Sequence, residues 1–348
     1  MLALKVYLRQ RLVSCPRCYA LYIRMKYKIS GWRELLYYLS DLRIARQHMH
    51  WGDEAKMSPD QLKAKLLFYY HKIEKGLCMP GERRLFGVDV VPHVTGLLEA
   101  WESQGQSLGD PVYRGALDSL RAYRERIVNG GLDPDGKVAP CVDSFLESRV
   151  VDSQEEISTP LRLNKQAIES VPMYGSFRAL CEIRRSYRVF CDSPVENDEL
   201  IRAVEVAQLS PSACNRQPCS VRVIRDSLLK RDLLSLQNGN AGFGHLAAAV
   251  LVVTADARSF FGAIERNQPY VDGGLFSMSL LYGLQVQGLV SCCLNWCVTP
   301  DTDRKAHDLL EMSSAERIIM LIAVGRPVSD AIVPRSHRKA LDSIVTFR

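Results

Sequence analysis

Apolar and polar positions along this chain follow two different rhythms, and the change between them divides it. After Ser58-Pro59-Asp60-Gln61, the apolar residues Leu62, Leu66, Tyr69, Ile73 and Leu77 recur at the spacing of one helix face. Ser58 is a capping residue, Pro59 suits a first helical position, and Gln61 completes a capping box. Gly76 is the expected stop. From about Gly105 to Thr159 the periodicity weakens. Gly130-Gly131, Asp133-Pro134-Asp135-Gly136 and the acidic run from Asp152 to Glu156 interrupt it. A boundary is expected between about 150 and 170. It separates a mainly helical N-terminal extension (1–165) from a second domain (166–348).

Beyond the boundary the pattern sharpens. A helix runs towards Arg184. Asn197 is read as the cap of a helix carrying Leu200, Val204 and Ala207, which ends at Ser210-Pro211. Val221 to Arg225 reads as a short strand, and Ala249 to Thr254 as a buried one. A long helix from about Gly273 carries Met278, Tyr282, Val286 and Leu289, with Gly288 near its end. Ile318 to Val324 is another buried strand, followed by Gly325. Helices interleaved with apolar strands imply a layered α and β domain.

Composition narrows the class. Of 348 residues, 47% are apolar and 24% charged, enough apolar surface to exclude a disordered or fibrous chain. No stretch reaches the roughly 18 apolar residues of a spanning helix. A net charge of +6 does not argue for nucleic acid. The eleven cysteines, odd in number and with Cys292 beside Cys293, read as reduced thiols of a cytoplasmic protein. Cys15-Pro-Arg-Cys18 lacks two further ligands at fitting spacing, so no metal is expected. Residues 1–33 hold eight Lys or Arg and no acid, interleaved with apolar and aromatic residues. Two readings stay open: contact with an anionic membrane surface, or a basic arm packed on its own protein.

Two segments carry candidate chemistry. Arg184-Arg185-Ser186-Tyr187-Arg188 sets three guanidinium groups and a serine hydroxyl at a helix end, a donor set suited to phosphate. Ser210-Pro211-Ser212-Ala213-Cys214-Asn215-Arg216-Gln217-Pro218 offers hydroxyls, two amides and free backbone donors between prolines. That set suits a flat polar ring and a polyol, or simply a hydrophilic turn. His71 and Glu74, three apart on a helix, read as a surface or interface pair. Neither a dinucleotide fingerprint nor a phosphate loop of the nucleotide-hydrolase type is present.

Taken in order, the arginine cluster, a helix, the 210–218 turn and a strand resemble the nitroreductase family of FMN-dependent oxidoreductases. Later landmarks agree: Asp272-Gly273-Gly274, Gly288 to Trp296, Gly325-Arg326-Pro327, and the basic tail Pro334 to Lys339. The likeness covers about 175 to 348. In the other half, Tyr70 to Leu77 with Arg83, Phe86 and Gly87 resembles the leader of nitroreductase-like proteins found with polysaccharide biosynthesis.

The resemblance implies an α+β fold, a nitroreductase-like mixed β-sheet flanked by helices. It implies a homodimer with FMN between the subunits, NAD(P)H as hydride donor and a small organic molecule as acceptor. Arg184, Arg185, Ser186, Arg335 and Arg338 would hold the phosphate. Arg188 would face the flavin N1 and O2 atoms, where negative charge gathers on reduction. Pro211 and Ser212 would lie against the ring. Asn215 and Gln217 would bond it or hold the loop. The backbone of Cys293, Leu294 and Asn295 would approach N5. Hydride transfer itself requires no acid or base, so no catalytic side chain is named. Three departures stand out: Cys219 where an aromatic is usual, Arg326 in place of a tyrosine, and a short span from Asp226 to Tyr270 that leaves little lid. Dehalogenation or dehydrogenation on the same cofactor, or a non-catalytic scaffold in glycan assembly, are the alternatives.

Overall fold

The computed structural model describes residues 16–49, 51–52, 56–79, 85–149, 160, 173–334, 336, 338 and 340–348. Residues 1–15, and with them Cys15 of the CxxC pair, lie outside the described residues. So does nearly all of the expected boundary at 150–170, and so do Arg83 and Arg335.

The N-terminal half is helical. Helix α1 spans Pro16–His48, and no described helix is long and apolar enough to cross a membrane. Helix α2, Pro59–Cys78, starts with the expected capping box. The Ser58 hydroxyl accepts from the Gln61 backbone N–H, and the Gln61 side chain accepts from that of Ser58. The helix does not stop at Gly76; it runs two residues further. That glycine has a packing role, because a Cβ there would lie 2.2 Å from the Phe86 ring. Helices α3 (Val90–Ser103), α4 (Pro111–Asn129) and α5 (Ala139–Glu147) follow. The weak periodicity after Gly105 therefore conceals two helices. On α4, Tyr113, Leu117, Leu120, Tyr123 and Ile127 are buried against Leu66 and Ile73 of α2 and Leu97 and Trp101 of α3, forming a core of their own.

The second half has an α+β architecture. Four strands, β1 (Cys219–Ile224), β2 (Ala249–Asp256), β3 (Val290–Asn295) and β4 (Glu316–Gly325), form one sheet in the order β1-β2-β4-β3. All named pairs are antiparallel, and the parallel component is a bridge between Ser186 and Ser291 beside β3. Strand β2 is central and buried on both faces, which explains its continuous apolar run. Successive residues alternate between two cores. Val250 and Val252 face Leu233 of α8 (Ser227–Ser235) and Ala306 of α10 (Pro300–Leu309). Leu251 and Val253 face α7 (Asn197–Gln208) and α9 (Gln268–Val286).

Three expected details shift. Asn197 is the first helical residue of α7, not its cap; Glu196 and Glu199 form the capping box instead. Helix α9 begins at Gln268, five residues before Gly273, with Pro269 in its first turn. The 290–295 segment, expected only to lie beside a flavin, is the edge strand β3. Helix α6 (Tyr174–Ile183) buries no residue and leads directly into Arg184.

Helices α7 and α9 touch backbone to backbone at Gly283, where a Cβ would lie 2.8 Å from the Ala203 carbonyl oxygen and 2.9 Å from its Cα. A backbone contact cannot yield as a side chain does. Gly283→Val is expected to destabilise the protein by about 2 kcal/mol or more. Chemical denaturation measures this, and a shift below about 0.5 kcal/mol would show that the helices part freely.

Candidate functional site

The two candidate segments are held by different means. The arginine cluster is anchored to the β3 edge: the Tyr187 N–H donates to the Ser291 carbonyl at 3.0 Å. Arg184, Arg185 and Ser186 are half-buried and Arg188 is exposed. Among the described residues none of these three arginines has a carboxylate partner. Arg188 makes a long hydrogen bond, 3.5 Å, to the Ser186 carbonyl and lies 5.7 Å from the Phe243 ring centroid. Burial pushes the Cys292 thiol pKa up, and nearby Arg188 and Ser186 pull it partly back. The Tyr282 hydroxyl meets Cys181 Sγ at 3.0 Å. That contact, then burial, raises the Tyr282 pKa, with Arg184 opposing. Along β3, Cys293 and Asn295 face outward while Cys292 and Leu294 face the core. Gln237 Nε2 donates to the Asn295 carbonyl at 3.0 Å and to its side-chain oxygen at 3.2 Å, fixing the strand end.

The 210–218 turn is held in a strained shape. Cys214, Asn215 and Gln217 have φ of 50°, 52° and 49°, a left-handed conformation costing on the order of 1 kcal/mol for each non-glycine residue. Several hydrogen bonds oppose that cost. The Ser212 hydroxyl accepts from the Gln217 N–H at 3.0 Å, and the buried Asp272 carboxylate accepts from the Ala213 N–H at 3.1 Å. Gln268 secures Asp272 from behind at 2.8 Å. Ser210 Oγ donates to Ser279 Oγ at 2.7 Å.

Sequence reading passed over Arg216. Its side chain is fully buried. Nη1 and Nη2 donate to the two Glu265 oxygens at 2.9 and 2.7 Å, and Nε donates to the Ala213 carbonyl at 2.9 Å. Its guanidinium carbon lies 4.9 Å from the Phe260 ring centre and between 5.7 and 5.9 Å from those of Phe261, Phe68 and Trp51. Trp51 and Phe68 belong to the N-terminal half, so this cation joins both halves to the turn. The signal available in sequence was a guanidinium set between two turn amides; its partners are remote along the chain. Arg326, at the tyrosine position, is likewise structural. It donates to Glu199 at 2.9 and 3.1 Å and to the Pro194 carbonyl at 3.0 Å. His71 and Glu74 are a partly exposed pair, 3.7 Å apart.

The two segments do not meet within one chain. Ser186 aligns through Ser291 and Val324 with Ala249, whereas Cys219, which follows the turn, aligns with Ala255. Four strand spacings separate them laterally, about 19 Å, and six residues lengthwise, about 20 Å. They occupy diagonally opposite corners of the sheet, too far apart for one mononucleotide to touch both. A cavity of about 570 Å³ adjoins the turn, lined by Pro211, Ser212 and Gln217 and by Lys63 and Asp110 of the N-terminal half. Residues 184–188 and 293–295 are not among its lining. Arg338 is exposed, and among the described residues it bonds to the nearby Ser336 carbonyl, at 2.6 Å. Among the described residues no His, Cys, Asp or Glu group is arranged to hold a metal.

Two predictions follow from this geometry. Arg216→Ala would leave Glu265 without its cation and open a void among four aromatic rings, costing about 3–5 kcal/mol in unfolding free energy; a loss under about 1 kcal/mol would show that the pair is dispensable. The Cys219 thiol is pushed up to about 12, first by burial and then by Asp272. Thiolate is therefore scarce at pH 8, and native-state alkylation followed by mass spectrometry should find Cys219 much slower than exposed Cys297; equal rates would contradict this.

Comparison with known proteins supplies the context. Residues 182–326 match the model of the nitroreductase family, a narrower span than the 175–348 likeness read from the motifs. An iodotyrosine deiodinase of Danio rerio is 26% identical over 200 residues, covering 49% of this chain and 66% of that protein. Iodotyrosine deiodinase 1 of Mus musculus is 22% identical over 254 residues, covering 61% of this chain and 88% of its own. The chain thus spans just under two thirds of the first of these relatives. A crystal structure of a nitroreductase family protein from Streptococcus pneumoniae superposes with a TM-score of 0.43 at 23% identity, over 49% of this chain and all of that one. The segment that matches the nitroreductase family, 182–326, is the one that builds both corners and all four strands between them.

Proposed function

We infer that this protein is an FMN-dependent oxidoreductase that works as a homodimer, taking hydride from NAD(P)H and passing electrons to a small organic substrate. One observation carries the reading: a cluster of arginines with no carboxylate partner among the described residues and a polar turn bordering a cavity sit at opposite corners of one sheet. Two chains related by a twofold axis would bring the arginine corner of each against the turn of the other. An exposed apolar stripe supports such pairing. Val271, Leu275 and Val286 stand out from α9 at helical spacing, Ile201 stands out from α7, and Leu209 is exposed just past its end.

The residues present fit the cofactor. Arg184 and Arg185, without carboxylate partners, and the Ser186 hydroxyl suit a dianionic phosphate. In this proposal Arg338 and Arg335 of the tail assist. Bound FMN would supply the hydride-accepting and hydride-donating centre. Arg188 would hold positive charge where the reduced ring gathers negative charge. Pro211 and Ser212 of the second copy would cover one ring face, and its Asn215 and Gln217 would keep that turn in shape. Outward-facing Cys293 and Asn295 leave the β3 edge open to approach, with the backbone of Leu294 between them. The nicotinamide and the second substrate would take turns on the remaining face.

Reductive dehalogenation is a second reading, favoured by the two relatives named iodotyrosine deiodinases. Product analysis with nitroaromatic, quinone and halotyrosine substrates separates the two. An association with polysaccharide assembly rests on the Tyr70 to Leu77 leader alone. Contact of residues 1–33 with an anionic membrane surface rests on their eight cations and interleaved apolar residues alone.

The purified protein should be yellow and dimeric. Arg184→Ala should weaken FMN retention about tenfold or more, read by fluorescence titration of released flavin. Arg188→Ala should mainly lower the flavin midpoint potential, read by dye-coupled reduction. A protein that stays colourless in excess FMN, or variants with unchanged affinity and potential, would overturn the reading.

A further inference from the structure

The cavity beside Pro211 and Ser212 has two unlike walls. One is the turn. The other is the helical half of the chain, through Asp60 and Lys63 on α2 and Asp110 at the head of α4. Of the 226–270 span only Asp256, Arg258 and Ser259 reach the lining, and the helical half supplies the facing wall. One ion pair crosses between the walls, Asp60 with Arg258, and one more braces each wall from within. Arg258 Nη1 lies 2.7 Å from Asp60 Oδ2 and Nη2 lies 2.6 Å from Asp256 Oδ2. Lys63 Nζ donates to Asp110 Oδ2 at 2.8 Å.

Two further charged groups on the lining are already spent on partners beyond it. Arg216 belongs to Glu265, and Glu316 is held by Arg222 at 2.6 and 2.9 Å. The other charged groups of the lining pair among themselves, Asp60 and Asp256 sharing Arg258 and Asp110 taking Lys63; with Asp272 that makes four carboxylates against two cations. Among the described residues, buried Asp272 accepts from an amide N–H and a glutamine and pairs with no cation. Leu67 and Phe276 supply apolar contact for a flat molecule. A half-enclosed cavity with an excess of carboxylates attracts a cation and repels an anion, because charges on its walls are screened less than on open surface.

We propose that this interdomain cavity is the compartment of the electron-accepting substrate, that it selects a planar acceptor bearing a positive charge, and that Asp60 of the helical half is a specificity-determining residue. The proposal rests on the FMN reading for the ring that the acceptor meets; the charge preference of the cavity does not. With a nitro acceptor the chemistry balances: NAD(P)H, one proton and ArNO2 give NAD(P)+, ArNO and water. Two electrons and two protons enter, and one oxygen leaves as water.

The test uses the full chain and two aromatic probes of opposite charge, benzyltrimethylammonium and phenylacetate, in isothermal titration calorimetry. The cation should bind roughly tenfold tighter or more at low salt, and the preference should shrink at about 0.5 M salt. Asp60→Asn should reduce the preference severalfold while lowering the melting temperature by no more than the loss of one exposed ion pair would. If that variant fails to fold, the wild-type ratio and its salt dependence decide. In the FMN-loaded enzyme, kcat/KM for (4-nitrobenzyl)trimethylammonium over 4-nitrobenzoate should follow the same order and fall in Asp60→Asn. Equal binding, preference for the anion, or binding of neither probe would overturn the proposal. A protein that binds the cation yet takes up no FMN would remove the flavin reading while upholding the cavity's charge preference.

Discussion

One buried cation organises this molecule. The guanidinium of Arg216 gives up water entirely, a cost of several kcal/mol, and is compensated by a bidentate carboxylate, a backbone carbonyl and the faces of four aromatic rings. Its position in the chain gives this its consequence. It lies within the turn that holds three non-glycine residues at positive φ, and two of its aromatic neighbours come from the helical half. The pair therefore fixes a strained loop and docks one half of the chain on the other. In the loop so fixed, Ser212 and Gln217 line the cavity, with the Ser212 hydroxyl accepting from the Gln217 N–H.

The sheet adds a second constraint. Its order puts β3 at one edge and β1 at the other, so the arginine cluster beside β3 and the turn before β1 are as far apart as the sheet allows. The cluster has cations without carboxylate partners among the described residues, and the turn has polar groups beside a cavity. Apolar side chains on α7 and α9 stand exposed between them. In the proposed reading, association of two copies would cover these side chains and bring the two corners together, so that cofactor binding and dimer formation would be one question.

Much of this was legible in the sequence, for identifiable reasons. Strands β2 and β4 are buried on both faces, so their apolar runs are continuous. Helix α2 announces itself through Ser58, Pro59 and Gln61. The 210–218 turn is conspicuous because two prolines bracket amides and hydroxyls. Other features were hidden by physics that a linear pattern does not record. Glutamate is an uncommon cap, so Glu196 was passed over for Asn197. Helix α4 looked weak because Gly130, Asp133 and Pro134 follow it closely, although its buried face is regular. Arg216 read as one more polar residue of a turn because Glu265, Phe260 and Trp51 are brought to it only by folding. Arg326 looked like a departure and proved to be half of an ion pair with the first turn of α7.

The central claim is that each flavin site is completed by two copies of the chain, and subunit complementation tests it most directly. One differently tagged copy would carry Arg184→Ala with Arg188→Ala, and the other Ser212→Trp to block the turn. Neither variant alone should retain FMN. Mixed dimers isolated through both tags should bind one FMN per dimer, because one of the two composite sites is then built entirely from unaltered residues. If each chain held its own flavin, every site in the mixed dimer would be damaged. The mixed dimer would then bind none, and that result would contradict the account.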